Sequence, residues 1–294
     1  MSRGGEFCVV VATDGSSAAN AAVATALAFP WPDKTRVFGV VAKRTPTTAG
    51  RPGYVLRAWD RHWDRVVSAP KRALGRRFTN PIVSIVDKYP AAAIRDAAKK
   101  CDADVIVMGW RGHGAFRRLL MGSVSRSVVR GAPCSVLVAR RRARPIRNFV
   151  VGVDRSRAAR RAIDLIARLP VPRGGQVTVV QVVEPWTLPS LGAIPGAVRK
   201  ALGREAEEVG RTRSDDAERV VDTAVNALRA RGWKARGLVR SGAPLTELLA
   251  ATADAGADVL VVGSRGSGGV ERLVLGSIAE GALDRSPVPV LVVR

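Results

Sequence analysis

The chain repeats itself. The stretch CVVVATDGSSAANAAVATALAF from Cys8 is matched by FVVGVDRSRAARRAIDLIARL from Phe149, and YPAAAIRDAAKKCDADVIVMGWRGHG is matched by APLTELLAATADAGADVLVVGSRGSG. Near the end of each copy, LLMGSVSRSVVRGAPCSVLVAR faces LVLGSIAEGALDRSPVPVLVVR. A repeat covering nearly all of 294 residues restricts the architecture to two copies of one domain, each of ordinary size for a single core. The division expected is residues 1–140, a basic linker at 141–148, and residues 149–294. Asp14 and Asp154 stand 140 apart whereas Gly109 and Gly263 stand 154 apart, so copy two carries fourteen extra residues in its middle. The Pro- and Gly-bearing WTLPSLGAIPG reads as the loop that holds them.

Each copy alternates short apolar runs with helical segments. In copy one the pattern predicts strand Cys8–Ala12, a helix near Ser17–Phe29, strand Arg36–Val41 and a basic helix near Tyr54–Ala69. Strand Ile82–Val86, helix Ala91–Lys100, strand Val105–Met108, a helix near Ser123–Arg130 and strand Ser135–Ala139 follow. Continuous Val/Ile/Leu strands suit a parallel sheet covered on both faces. The expected fold is therefore α/β: two doubly wound, Rossmann-like parallel-sheet domains in tandem, related by a pseudo-two-fold.

Composition narrows the chemistry. With 47% hydrophobic residues each half can bury a core, and no apolar run is long enough to span a membrane. The apolar N-terminal run meets Asp14 at once and reads as a buried strand, not a signal peptide. Three scattered cysteines, Cys8, Cys101 and Cys134, make neither a disulfide framework nor a zinc site and point to a reducing cytoplasm. They read as small core residues. Two histidines, His62 and His113, argue against histidine-cluster chemistry. The net charge of +23 is uneven: residues 1–147 hold 27 bases and 9 acids, the remainder 21 and 16. Such a surface attracts polyanions without sequence preference, or is simply a solvated basic face.

The distinctive residues fall where the strands end, the place where open parallel sheets bind ligands. The first strand of copy one ends in Asp14-Gly15-Ser16; the fourth ends in Gly109-Trp110-Arg111-Gly112, and nine residues later comes Gly122-Ser123. Copy two repeats the spacing with Gly263, Gly266 and Gly276-Ser277. Glycines admit backbone amides close to a ligand, and a Gly-Ser opening a helix directs amides and the positive dipole end at an anion. The Ser123 and Ser125 hydroxyls can donate to phosphate oxygens, and a carboxylate closing the first strand can accept from ribose hydroxyls.

At these motifs the chain resembles a tandem universal stress protein over almost its whole length, and the Gly-two-Gly-nine-Gly-Ser spacing resembles the family's ATP-binding branch. The resemblance implies a cytoplasmic stress-response protein that binds ATP or a related adenine nucleotide and acts as a ligand-controlled regulator, with Mg²⁺ as an optional companion of the phosphates. By the same resemblance Asp14, beside Gly15, and Asp154 hold ribose or adenine, and Val40 and Val182, ending the second strands, meet adenine through their backbone. Gly109, Gly112, Gly122, Ser123, Val124 and Ser125 line the phosphates of one site; Gly263, Gly266, Gly276, Ser277 and Ile278 line those of the other. Arg111 and its counterpart Arg265 are expected to touch the terminal phosphate. Copy two departs from the pattern with Ala279 in place of the Ser125 hydroxyl, and copy one carries bulky Trp110 where copy two has Ser264. Since a hydrogen bond to a charged group is worth roughly 1.5–3 kcal/mol, copy two is expected to bind ATP about ten- to a hundredfold more weakly. Trp110 is expected to swing outward into solvent.

Other readings stay open. No GxxxxGK[ST], no GxSxG and no Ser-Gly-Gly-x-Asp-Ser loop occurs, which excludes P-loop, nucleophile-elbow and adenylating chemistry. Asp14 has no acid partner, so at most slow ATP hydrolysis is expected. A nucleic-acid- or acidic-surface-binding module using the basic first half is the alternative, with weak, non-specific binding because no groove-reading motif is present. Trp59 and Trp63 among Arg57, Arg61 and Arg65 suggest either base stacking or, at their spacing of four, a core-facing stripe. A homodimer and an unidentified regulatory protein are further partners. By the family resemblance, the last strands, SVLVA and VPVLVV, are expected to pair with each other, hiding two sheet edges within one chain.

Overall fold

Ten strands lie side by side in one sheet because most of them are apolar on both faces. A computed structural model of the protein describes residues 6–43, 53–111, 121–140, 144–185, 196–266 and 275–294. In copy one the strands are β1 (Cys8–Thr13), β2 (Arg36–Lys43), β3 (Ile82–Asp87), β4 (Val105–Gly109) and β5 (Ser135–Ala139). In copy two they are β6 (Asn148–Gly152), β7 (Gln176–Val183), β8 (Lys234–Ser241), β9 (Val259–Gly263) and β10 (Val290–Val293). The helices are α1 (Ser17–Ala28), α2 (Gly53–Leu74), α3 (Pro90–Lys100), α4 (Ser123–Gly131), α5 (Arg157–Ala167), α6 (Gly196–Arg229), α7 (Pro244–Asp254) and α8 (Ser277–Arg285).

The sheet order is β3-β2-β1-β4-β5-β10-β9-β6-β7-β8. Pairing is parallel within each half, and the halves join through antiparallel β5 and β10, with Leu137 opposite Leu291 at the centre. The expected pairing of the last strands is thus met, and neither β5 nor β10 is an edge. Strand alternation sends Val9 and Val11 to one face, with residues of α1, α2, α5 and α6. Cys8, Val10 and Ala12 go to the other, with residues of α3, α4, α7 and α8. Each apolar layer runs through both copies. Phe29 of copy one meets Phe149 of copy two edge-on at 5.8 Å.

Several boundaries differ from the sequence expectation. The basic helix does not stop at Ala69 but continues through Pro70 to Leu74, because Pro70 and Leu74 are both buried and the last turn is anchored in the core. The extra length of copy two goes largely into a helix, since α6 has 34 residues against 22 in α2. Residues 186–195, most of the expected loop, lie outside the described residues. Asn148, placed in the linker by sequence, opens β6, and Ile146 is buried with its amide donating to the Ala28 carbonyl at 3.4 Å. The cysteines are not scattered in space. Cys8 and Cys101 are hydrogen-bonding neighbours, Cys134 lies close by, and burial pushes the thiols of Cys8 and Cys134 up to about 12.

Candidate functional site

Strand order reverses between β1 and β4, and by pseudo-symmetry between β6 and β9, so each copy has a crevice at the carboxyl ends of those strands. At the copy-two crevice α5, α7 and α8 all begin, and they begin differently: α7 has no side-chain cap but starts on Pro244, which brings no amide donor. Ser16 and Ser156 cap α1 and α5: their hydroxyls accept from the amides of Ala19 at 3.1 Å and Ala159 at 3.0 Å. The glycines Gly122 and Gly276, which precede α4 and α8, supply no side-chain cap. The first amides of α4 and α8 therefore keep the donors and the positive dipole end that suit an anion.

Turn chemistry fixes the carboxylates beside these openings. Asp14 Oδ1 accepts from the Ser16 amide at 3.0 Å, and Asp154 Oδ1 from the Ser156 amide at 2.8 Å. Gly15 has φ +78, a conformation that favours glycine, and a Cβ there would lie 2.9 Å from Val66 of α2. Copy two has Arg155 at the matching position, paired with Asp216 of α6. A Cβ on Gly266 would come within 3.1 Å of Asp154 Oδ2, so this glycine lets the loop lie against the carboxylate.

All eight copy-two candidates, Asp154, Val182, Gly263, Arg265, Gly266, Gly276, Ser277 and Ile278, line one cavity of about 1030 Å³. Arg155, Arg213 and Asp216 line it as well, and sequence reasoning missed them. The change from Gly15 to Arg155 between the copies was the available signal for the first; nothing in the spacing marks the other two. In copy one, Asp14, Gly15, Gly109, Arg111, Gly122, Ser123, Val124 and Ser125 come from the same elements, with Ser123 exposed at the start of α4. Gly112 lies outside the described residues. Val40 is buried within β2 and does not end it, because the strand runs three residues further to Lys43 in register with β3.

Two expectations about individual side chains are corrected. Ser125 is buried and its hydroxyl donates to the Gly109 carbonyl at 2.8 Å, so in this arrangement its hydrogen is spent bracing the end of β4. Gly109 and Gly263 serve packing as well: a Cβ on Gly109 would sit 2.5 Å from the Ala18 carbonyl oxygen of α1, and one on Gly263 2.8 Å from Ala158 Cβ of α5. Trp110 does not swing into solvent. The guanidiniums of Arg111 and Arg140 each lie 4.2 Å from its ring centroid, and it packs on the core.

The strand-end arginines were also missed. Burial lowers the Arg140 guanidinium below its usual value; Asp284 opposes that, and Arg111 adds to it. Burial lowers Arg294 likewise, reinforced by Arg265. Arg265 lines the copy-two cavity with Arg294 close to it, and Arg111 likewise has Arg140 close to it, so positive charge gathers where an anion would be favoured. On the basic helix, Arg57, Arg61 and Arg65 are exposed and Trp63 is half-buried; the Trp59 side chain lies outside the described residues.

Comparison with known proteins fits this arrangement. The model of the universal stress protein family matches twice, at residues 8–140 and 145–294. The chain belongs to the universal stress protein family. It is similar to universal stress protein Rv2005c of Mycobacterium tuberculosis, 31% identical over 199 residues, which is 66% of this chain and 62% of that protein. The match therefore spans less than two thirds of the mycobacterial relative. A universal stress protein of Thermus aquaticus is 35% identical over 134 residues, 45% of this chain and 97% of the other. Among solved structures, a universal stress protein from Archaeoglobus fulgidus shares the fold, with a TM-score of 0.63, 21% identity and 98% of each chain covered. Among the described residues of this universal stress protein, no helix is long and apolar enough to cross a membrane.

Proposed function

We propose that this universal stress protein binds ATP or a related adenine nucleotide in both crevices and acts as a ligand-controlled regulator. The observation that carries the reading is the contrast between helix starts: α1 and α5 are closed by serine caps, while α4 and α8 open on glycines. Uncapped amides, a helix dipole and nearby arginines supply donors and positive charge that phosphate oxygens would accept. Asp14 and Asp154, just past the ends of β1 and β6, would then take the ribose of a nucleotide whose phosphates rest on α4 or α8. The valines Val40 and Val182 flank the side on which the base would lie.

The activity this reading expects is occupancy, with at most slow ATP hydrolysis. A Mg²⁺ ion accompanying the nucleotide would be held through the phosphates, since among the described residues no group of three or more His, Cys, Asp or Glu side chains is placed to hold a metal. Gly122→Val and Gly276→Val test the reading by calorimetry. Gly122 has an ordinary extended conformation, and its Cβ position is 3.4 Å from the nearest backbone, so the first variant should fold. Each variant should lose one of two ATP sites. Unchanged affinity and stoichiometry in folded variants would remove the assignment.

A further inference from the structure

The face that joins the two copies has three layers, and they differ in what they can distinguish. The β5–β10 pairing is made by backbone and would form between any two copies. The arginines at the strand ends form a reciprocal clamp: Arg140 donates to the Leu283 carbonyl at the end of α8, and Arg294 donates to the Val129 carbonyl at 2.7 Å, at the end of α4. Arg140 and Arg294 occupy matching positions of the repeat, 154 apart, as do Val129 and Leu283. This layer too is the same whichever copies meet.

The third layer is not symmetric. Arg126 and Arg130 of α4 match Glu280 and Asp284 of α8 at the same spacing of 154. Across the pseudo-two-fold, Arg126 pairs with Glu280 at 2.7 Å and with Asp284 at 3.4 Å, and Arg130 pairs with Glu280 at 2.8 Å. Asp284 also accepts from the Met121 amide at 3.4 Å. Every contact therefore joins positions that would meet their own counterparts in a like-with-like pair. Two first copies would set four arginines against one another, and two second copies would set four carboxylates together. Arg126, Glu280 and Asp284 are only a quarter to a third exposed, so solvent screens their repulsion incompletely.

We propose that the α4–α8 face is a charge-keyed interface that accepts a universal stress domain with acids at its two last-helix positions and rejects a second copy of domain one. In this chain the fitting partner is its own second domain. The two halves consequently close on each other, and association between chains through this face requires reciprocal exchange of halves. This inference does not depend on nucleotide binding.

The test is a charge cycle in the full chain. R126E/R130E makes the face wholly acidic, E280R/D284R makes it wholly basic, and the quadruple variant restores opposite charges with the natural net charge. Both double variants should unfold at lower urea than the parent, and the quadruple variant should return to the parental midpoint. Refolding the two double variants together should give a 1:1 heterodimer in native mass spectrometry, in at least about tenfold excess over either homodimer, because like-charge contacts are penalised. If a double variant fails to fold, the quadruple variant decides: recovery supports the key, and failure overturns it. Double variants with parental stability, or a mixture that remains monomeric, would also overturn it.

Discussion

Ser125→Ala separates a bracing role from a ligand-binding one. The Ser125 hydroxyl is buried and donates to the Gly109 carbonyl at 2.8 Å. Removing it leaves a buried acceptor short of one partner, a cost of about 1–3 kcal/mol. For domains of this size each kcal/mol moves the midpoint of thermal unfolding by roughly 2–4 °C, so a drop of several degrees is expected. ATP affinity at the first site should change little, because the amide of residue 125 stays in the first turn of α4 and only a hydroxyl already engaged elsewhere is lost. Scanning calorimetry gives the first quantity and titration calorimetry the second. The same reasoning withdraws the sequence-based ranking of the sites: Ala279, equally buried, lacks a brace and not a phosphate donor. Undiminished thermal stability together with a tenfold weaker first site would refute it.

Gly109→Ala places a Cβ 2.5 Å from the Ala18 carbonyl oxygen, a backbone atom that cannot give way cheaply. It should destabilise copy one by about 1–3 kcal/mol or more in urea titrations, because α1 must lift from β4. The buried thiols set an alkaline limit. Burial raises Cys8 and Cys134 from 9.0 to about 12, so the folded state holds protons that the unfolded state releases. Their contribution to stability is complete below about pH 9 and is lost as the pH climbs toward 12, and both should resist alkylation in the folded protein at pH 8. Urea midpoints measured across that window, beside Cys8→Ala and Cys134→Ala, check the sign.

The repeat made the architecture legible before any coordinate. Continuous valine runs, prolines opening α3 and α7, and glycines at fixed spacing each have a local physical cause that a sequence displays. The pairing of β5 with β10 was expected from the family resemblance, and it hides two sheet edges. What stayed hidden depends on side chains meeting across distance. Ser125 and Gly109 are sixteen residues apart, and only their contact shows that the hydroxyl is occupied. Trp110 looked free because Arg140, its second cation, arrives from the end of β5. The cysteines looked scattered because positions 8, 101 and 134 converge only when β1, α3 and β5 assemble. The continuation of α2 through Pro70 is decided by burial of Leu74, which overrides the local preference to stop.

The central claim is that the uncapped starts of α4 and α8 receive phosphate groups. The measurement closest to it is titration calorimetry of the full chain with ATP, AMP and adenosine under identical buffer and salt. The account predicts two sites for ATP, with affinity falling as phosphates are removed and adenosine binding at least about tenfold more weakly than ATP, since each charge-assisted hydrogen bond to phosphate contributes about 1.5–3 kcal/mol. Equal affinity for adenosine and ATP, or no ATP binding, would contradict it.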